Sequence, residues 1–110
     1  MAQKSKRQNW IIGIACAEND GVCMRLCKNM TMTEVKKILA KLVRQDKDND
    51  KESFEYGSTN IKDVEETYFR IKDNTCLYSL EARACFTNYH IDYTAMPLTE
   101  IPELFLEELK

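Results

Sequence analysis

Apolar positions along the chain follow two rhythms, and each predicts a different kind of element. Residues 10–17, WIIGIACA, are β-branched and almost unbroken in hydrophobicity, and residues 22–28, VCMRLCK, alternate. Between them lies Asn19-Asp20-Gly21, a turn composition, so the first thirty residues read as a β-hairpin. A three-residue loop with Gly21 left-handed pairs Glu18 with Val22, Cys16 with Met24 and Ile14 with Leu26. That register predicts one apolar face made of Trp10, Ile12, Ile14, Cys16, Val22, Met24 and Leu26. A two-residue Asp20-Gly21 turn sets Cys23 and Arg25 among the isoleucines instead. Such a slip is costly where one face is buried, so the first register is expected.

The rhythm then lengthens. In MTMTEVKKILAKLVRQD, residues 30–46, Val35, Ile38, Leu39, Leu42 and Val43 recur at helical spacing. Thr31 and Glu34 have the spacing of a capping box, with Met30 placed to staple onto Val35. Lys36, Lys37, Lys41 and Arg44 fill the remaining surface. Residues 46–53, DKDNDKES, read as a solvated linker. Their alternating aspartates resemble the start of a calcium loop, but Lys51 stands where the sharp turn needs glycine and Gly57 where a bidentate glutamate belongs.

Phe54–Gly57, FEYG, reads as a short strand or an anchored loop, and residues 58–65 stay ambiguous. Beyond them three segments fit one another as a meander. A turn at Asp73-Asn74 pairs Ile71 with Cys76, Phe69 with Tyr78 and Thr67 with Leu80. A turn at Thr87-Asn88 pairs Ala84 with Ile91, Ala82 with Tyr93 and Leu80 with Ala95. The opposite face then carries Arg70, Glu81, Arg83, His90, Asp92 and Thr94, with Arg83 directly across from Asp92, a cross-strand pair worth at most about 1 kcal/mol. Tyr68 falls on that exposed face too.

These elements predict an α+β fold: an antiparallel sheet of about five strands, ordered ββαβββ, with one amphipathic helix packed on one face. The domain is expected at residues 9–97, after a flexible basic arm at 1–8. The last segment, 98–110, has Pro102 where a helix begins, and Ile101, Leu104, Phe105 and Leu109 form the apolar side of a short helical tail. That tail docks on its own sheet or engages a partner.

Composition narrows the function without naming it. A chain of 110 residues with 44% hydrophobic content supports one domain, and its formal charge of −2 gives no global field that selects nucleic acid or an anionic membrane. No apolar run is long enough to span a bilayer, and the basic start followed by Trp10–Ala17 lacks a convincing cleavage region, so a cytoplasmic protein is expected. Five cysteines is an odd number and there is no C-x-x-C, which points to reduced thiols rather than a disulfide framework or a structural zinc. No cofactor is expected, since the three glycines, at 13, 21 and 57, build no phosphate-binding loop.

One pair invites a catalytic reading: the second turn sets Cys85 across from His90, the only histidine, and a thiol beside an imidazole is the skeleton of a nucleophilic dyad. No family signature and no oxyanion-hole element accompanies it, so no catalytic residue is assigned and a non-enzymatic protein is expected. The exposed mixture of Tyr68, Arg70, Arg83 and His90 suits contact with a partner. Single-stranded nucleic acid is the alternative partner, with Lys4, Lys6 and Arg7 as a basic arm, although Glu66, Glu81 and Asp92 dilute the positive charge.

At NWIIGIACAENDGV, FEYG and FTNYHIDYTA the chain resembles a group of small uncharacterised proteins carried on conjugative or phage-like elements of anaerobic Gram-positive bacteria. The likeness spans most of residues 9–95. It implies an accessory factor that binds host or element proteins, as inhibitors of host defence do, and it brings no catalytic residues with it. The expected function is therefore binding of another protein, or of a second copy, through a sheet face and the tail. The expected contact residues are Tyr68, Arg70, Arg83, His90, Asp92, Ile101, Leu104, Phe105 and Leu109.

Overall fold

The computed structural model describes residues 6–16, 21–72 and 75–100, and of 69–72 and 75–77 the backbone alone. Six strands and one helix follow in the order β1 (Gln8–Cys16), β2 (Val22–Met30), α1 (Met32–Asn49), β3 (Phe54–Gly57), β4 (Glu65–Lys72), β5 (Thr75–Phe86) and β6 (His90–Pro97). All pairings are antiparallel, and the sheet runs β2-β1-β6-β5-β3, with β4 beside β3 along the same edge of the long strand β5. The α+β architecture expected from the sequence is present, with FEYG as the sixth strand. Only a 3-10 turn, Leu98–Glu100, follows β6, and the rest of the expected tail, with Ile101, Leu104, Phe105 and Leu109, lies outside the described residues.

Helix α1 begins as its sequence dictates. The Thr31 hydroxyl accepts from the Glu34 backbone N–H at 3.2 Å, and the Glu34 carboxylate accepts from the Thr31 N–H at 2.9 Å, so two otherwise orphaned donors are satisfied. The backbone bond holds the Glu34 carboxyl below its ordinary range, and Arg7 assists from 2.9 Å. The buried stripe of Met32, Val35, Leu39, Ala40 and Val43 lies against Trp10, Ile12, Leu80, Ala82, Ala84, Tyr93 and Ala95. Three alanines on the sheet side leave room for the branched residues of the helix, which lets the layers interdigitate. Gly57 serves the same end: a Cβ there would lie 2.7 Å from the Arg83 carbonyl oxygen and 3.2 Å from Val43, so only glycine lets β3 approach β5 beneath the helix.

Two registers differ from the expected ones. In the first hairpin Ala15 faces Val22, Ile14 faces Cys23, Ile12 faces Arg25 and Trp10 faces Cys27. Cys23, Arg25 and Cys27 therefore share the helix side with the isoleucines, and Val22, Met24 and Leu26 turn away from it. The cause is lateral. A helix about 10 Å wide covers two or three strands spaced about 4.8 Å apart. With β1 central between β2 and β6, the core closes on Trp10 and Ile12, and β2 extends past the edge of α1. Arg25 is thereby tolerated on the inner side, where it lines a depression with Gln45, Asp46 and Asp48.

In the meander, Lys72 faces Thr75 as the Asp73-Asn74 turn requires, but the register shifts between Arg70 and Lys72, after which Arg70 faces Cys76, Tyr68 faces Tyr78 and Glu66 faces Leu80. A one-residue shift reverses the faces of β4. Residues 46–50 also depart from the linker reading. Residues 46–49 continue α1 and Asp50 is its C-cap, and two of their carboxylates anchor the sheet: Tyr93 donates to Asp46, and Tyr89 donates to Asp50 at 2.6 Å.

Candidate functional site: the uncovered sheet face

With α1 on one side, alternation along each strand assigns the residues of the other side, and the registers order them into rows. One row runs Met96, Ile11, Leu26; the next Glu81, Thr94, Gly13, Met24; the third Arg83, Asp92, Ala15, Val22. Ser79, on the same side of β5, is wholly buried. Tyr56, Cys85 and His90 follow as a shorter fourth row. The face is thus divided. Its β2 and β1 side is apolar, and its β5 and β6 side is polar.

On the apolar side Val22, Met24 and Leu26 are 58%, 57% and 52% exposed, although each is a residue type normally withdrawn from water. The Met24 thioether and the Val22 methyl groups lie over Gly13, within 3.3 Å and 3.6 Å of where a Cβ would be. Ile11, Ala15 and Met96 continue the surface inward, half-buried.

On the polar side the Arg83 guanidinium donates to the Asp92 carboxylate at 2.6 Å, and His90 Nε2 lies 3.4 Å from the other oxygen of Asp92. The bond from Asp92 pushes the Arg83 guanidinium further up. Both partners are solvent-exposed, so the pair organises the surface more than it stabilises the fold, at roughly 0–1 kcal/mol. Tyr56 is raised above its ordinary value, first by a hydrogen bond with the Cys85 thiol. Beside these residues lies a shallow depression of about 470 Å³ lined by Ser58, Glu65, Glu81, Arg83, Asp92 and Thr94. Glu65 and Glu81 are directly opposed there, and the Thr67 hydroxyl donates to Glu81 at 3.2 Å.

Of the residues expected to form a contact surface, Arg83, His90 and Asp92 are brought together. Tyr68 is not among them: the shift in β4 places it on the helix side against Tyr78, ring centroids 5.3 Å apart. Of Arg70 only the backbone is described, paired with Cys76. Val22, Met24 and Leu26 were missed because the sequence reading turned them inward. Alternation showed that they share a face; only the position of β2 beyond the helix shows which face.

Cys85 and His90 are opposed as the turn predicts. The face on which they lie is open to water, and the N-terminus of α1, the nearest source of aligned backbone N–H groups, is on the far side of the sheet. Cys16, Cys23, Cys27 and Cys85 are free thiols. Among the described residues no group of three or more His, Cys, Asp or Glu side chains is placed to hold a metal ion, and no helix is long and apolar enough to cross a membrane. Comparison with protein-family models, with curated proteins and with solved structures finds no match for this chain.

Proposed function

We propose that the chain is a non-enzymatic protein-binding module whose contact surface is the uncovered sheet face, with Val22, Met24 and Leu26 as apolar anchor and the Arg83, His90 and Asp92 cluster as polar rim. The observation that carries this reading is the exposure of three large apolar side chains in one plane on a strand that the helix does not reach. An apolar centre beside a polar border is the anatomy of a protein interface. Glu65, Glu81 and Asp92 on the same face repel phosphates, and Tyr68 is turned away from it, which disfavours the nucleic-acid alternative. An accessory role in a mobile element, acting on host machinery, is the setting this proposal adopts from the resemblance.

The test is capture from extracts of the native host with the immobilised full chain. A partner retained by the wild type and by Lys37→Ala/Lys41→Ala, but lost with Val22→Asp/Leu26→Asp, supports the proposal. A partner lost only with the lysine variant overturns it, because those lysines lie on the helix.

A further inference from the structure

The sheet face opposite α1 is not open along its whole length. On β5 its residues pass from exposed at Arg83, through half-buried at Glu81, to wholly buried at Ser79, whose hydroxyl has no hydrogen-bond partner. Thr67, the cross-strand neighbour of Ser79, stands level with it in the sheet, and its own hydroxyl is turned to Glu81. A face bathed in water gives no reason for burial to deepen toward the end of a strand.

The chain itself returns to this point. Pairing of β5 with β6 ends at Leu80 and Ala95, whereas β6 stays on β1 as far as Pro97. In the opening that results, the 3-10 turn Leu98–Glu100 brings the Glu100 carboxylate back to β5, where it accepts from the Tyr78 backbone N–H at 3.2 Å. Residues 101–110 therefore start beside Ser79. The helix side offers them no room at this end: Tyr78 is 8% exposed, its hydroxyl reaches the Met32 sulfur, and the buried Trp10 ring lies edge-on to it.

We infer that residues 101–110 fold back in cis over this end of the face, covering Ser79, Met96 and Ile11 and reaching Leu26, and so regulate the proposed contact surface; that last step rests on reading the apolar row as a binding anchor. Sequence and reach agree. Ile101, Leu104, Phe105 and Leu109 recur at the spacing of one helix side. A helix over 101–109 rises about 12 Å, and β5 to β2 is three strand spacings, about 14 Å. Met96, Ile11 and Leu26 form the row nearest Pro97 and carry no charge, whereas the rows beyond hold Glu81, Arg83 and Asp92. An apolar segment leaving Glu100 thus meets an apolar row of its own length. Segment and protein partner then compete for Leu26, and the partner's apparent affinity is lowered by the fraction of chains in which the segment is down.

Amide nitrogen–proton correlation spectra of the full chain and of its Leu104→Asp/Phe105→Asp variant, each at two concentrations tenfold apart, test the inference. The expected changes fall on the amides of Ser79, Met96, Ile11 and Leu26, spare Lys37 and Lys41 on α1, and are the same at both concentrations, while unchanged Trp10 and Tyr93 signals show the core intact. Changes confined to the segment itself, changes centred on α1, or changes seen only at the higher concentration, which would make a second copy the occupant, would overturn it. In capture from host extract the variant should retain the partner about fivefold better or more, the low end of ordinary coupling between sites. Equal or weaker retention would overturn the competition. The spectra need no partner, so failure of the docking shows there, whereas failure of the binding reading shows as a partner indifferent to Val22→Asp/Leu26→Asp.

Discussion

Tyr93, wholly buried in β6, donates its hydroxyl proton to the carboxylate of Asp46 in the last turns of α1. Two other tyrosines repeat the device. Tyr89 reaches Asp50 at 2.6 Å, and Tyr78 reaches the Met32 sulfur at 3.1 Å and Glu66 at 3.4 Å. The sheet thus holds the helix near both ends through phenol groups whose rings belong to its apolar face. Replacing Tyr93 by Phe keeps the ring and removes the donor to a charged acceptor. A loss of about 1.5–3 kcal/mol is expected. It should appear as a lower urea midpoint with an unchanged m-value.

The same tyrosines make stability fall at high pH. Burial is the first cause that raises Tyr93 and Tyr78 above the ordinary 10.0; the Asp46 bond adds to it at Tyr93, and the Glu66 charge at Tyr78. Below pH 10 both the folded and unfolded chains hold these protons and the two groups contribute no slope. Above pH 10 the unfolded chain releases them while the folded chain does not, so stability falls as pH rises, by up to about 1.4 kcal/mol per pH unit for each tyrosine. Urea unfolding between pH 9 and 11 should show this slope, and it should be shallower in Tyr93→Phe. Equal slopes in the variant and the wild type would contradict the assignment.

Which parts of this fold can be read from the chain follows from the range of the forces involved. The Thr31–Glu34 capping box and the helical stripe are local, and both stand as read. The Thr87-Asn88 hairpin is nearly local: its register satisfies Ala82 with Tyr93 on one face and Arg83 with Asp92 on the other, and no competing register does both. The first hairpin offered no such double constraint. Val22, Met24 and Leu26 look like core residues until the helix proves too narrow to reach β2, a fact held in tertiary packing. The shift between Arg70 and Lys72 leaves no compositional mark, and it moved Tyr68 to the other face. Asp46 and Asp50 resemble linker residues because their tyrosine partners are 47 and 39 positions away. For the candidate site, the cluster of Arg83, His90 and Asp92 was therefore legible and the exposed row of Val22, Met24 and Leu26 was not.

Glycine tolerance should differ sharply between the two faces. At Gly57 a Cβ meets backbone, the Arg83 oxygen at 2.7 Å and the Ala84 Cα at 3.0 Å, and neither can yield without moving β5. Gly57→Ala is expected to cost at least about 1–3 kcal/mol, the range for overpacking. At Gly13 the nearest atom is the flexible end of Met24, at 3.3 Å. Gly13→Ala should be far milder, because that exposed side chain can turn away. Thermal unfolding of the two variants side by side measures the contrast, and a comparable loss in both would show that Met24 is held in place.

Directly opposed carboxylates on β4 and β5 offer a stabilising substitution. Glu65 faces Glu81, and the Thr67 hydroxyl answers only part of that repulsion. Glu65→Lys converts a like-charged cross-strand pair into an opposite one, with a gain of about 0.2–1 kcal/mol. The gain should shrink as ionic strength rises, since these groups are near the surface. Unfolding at low and high salt distinguishes this from a change in strand propensity, which salt would leave untouched.

The last prediction concerns acid. Glu34 accepts from the Thr31 backbone and from Arg7, and its carboxyl is held below the ordinary 4.5 by the first of these above all. A depressed carboxyl stabilises the fold while it is ionised, so its contribution is complete above about pH 4.5 and disappears as pH falls through the lower folded value. Glu34→Gln keeps an acceptor for the Thr31 N–H but cannot attract Arg7 or the helix N-terminus by charge. The variant should therefore be less stable than the wild type at pH 7 and should converge with it near pH 2. Thr31→Ala removes the other half of the box, and its loss of about 1 kcal/mol should persist at both pH values, because a hydroxyl acceptor does not titrate. Urea midpoints for the three proteins at pH 7 and pH 2 give the comparison directly. A Glu34→Gln deficit as large at pH 2 as at pH 7 would assign the effect of Glu34 to packing rather than to charge.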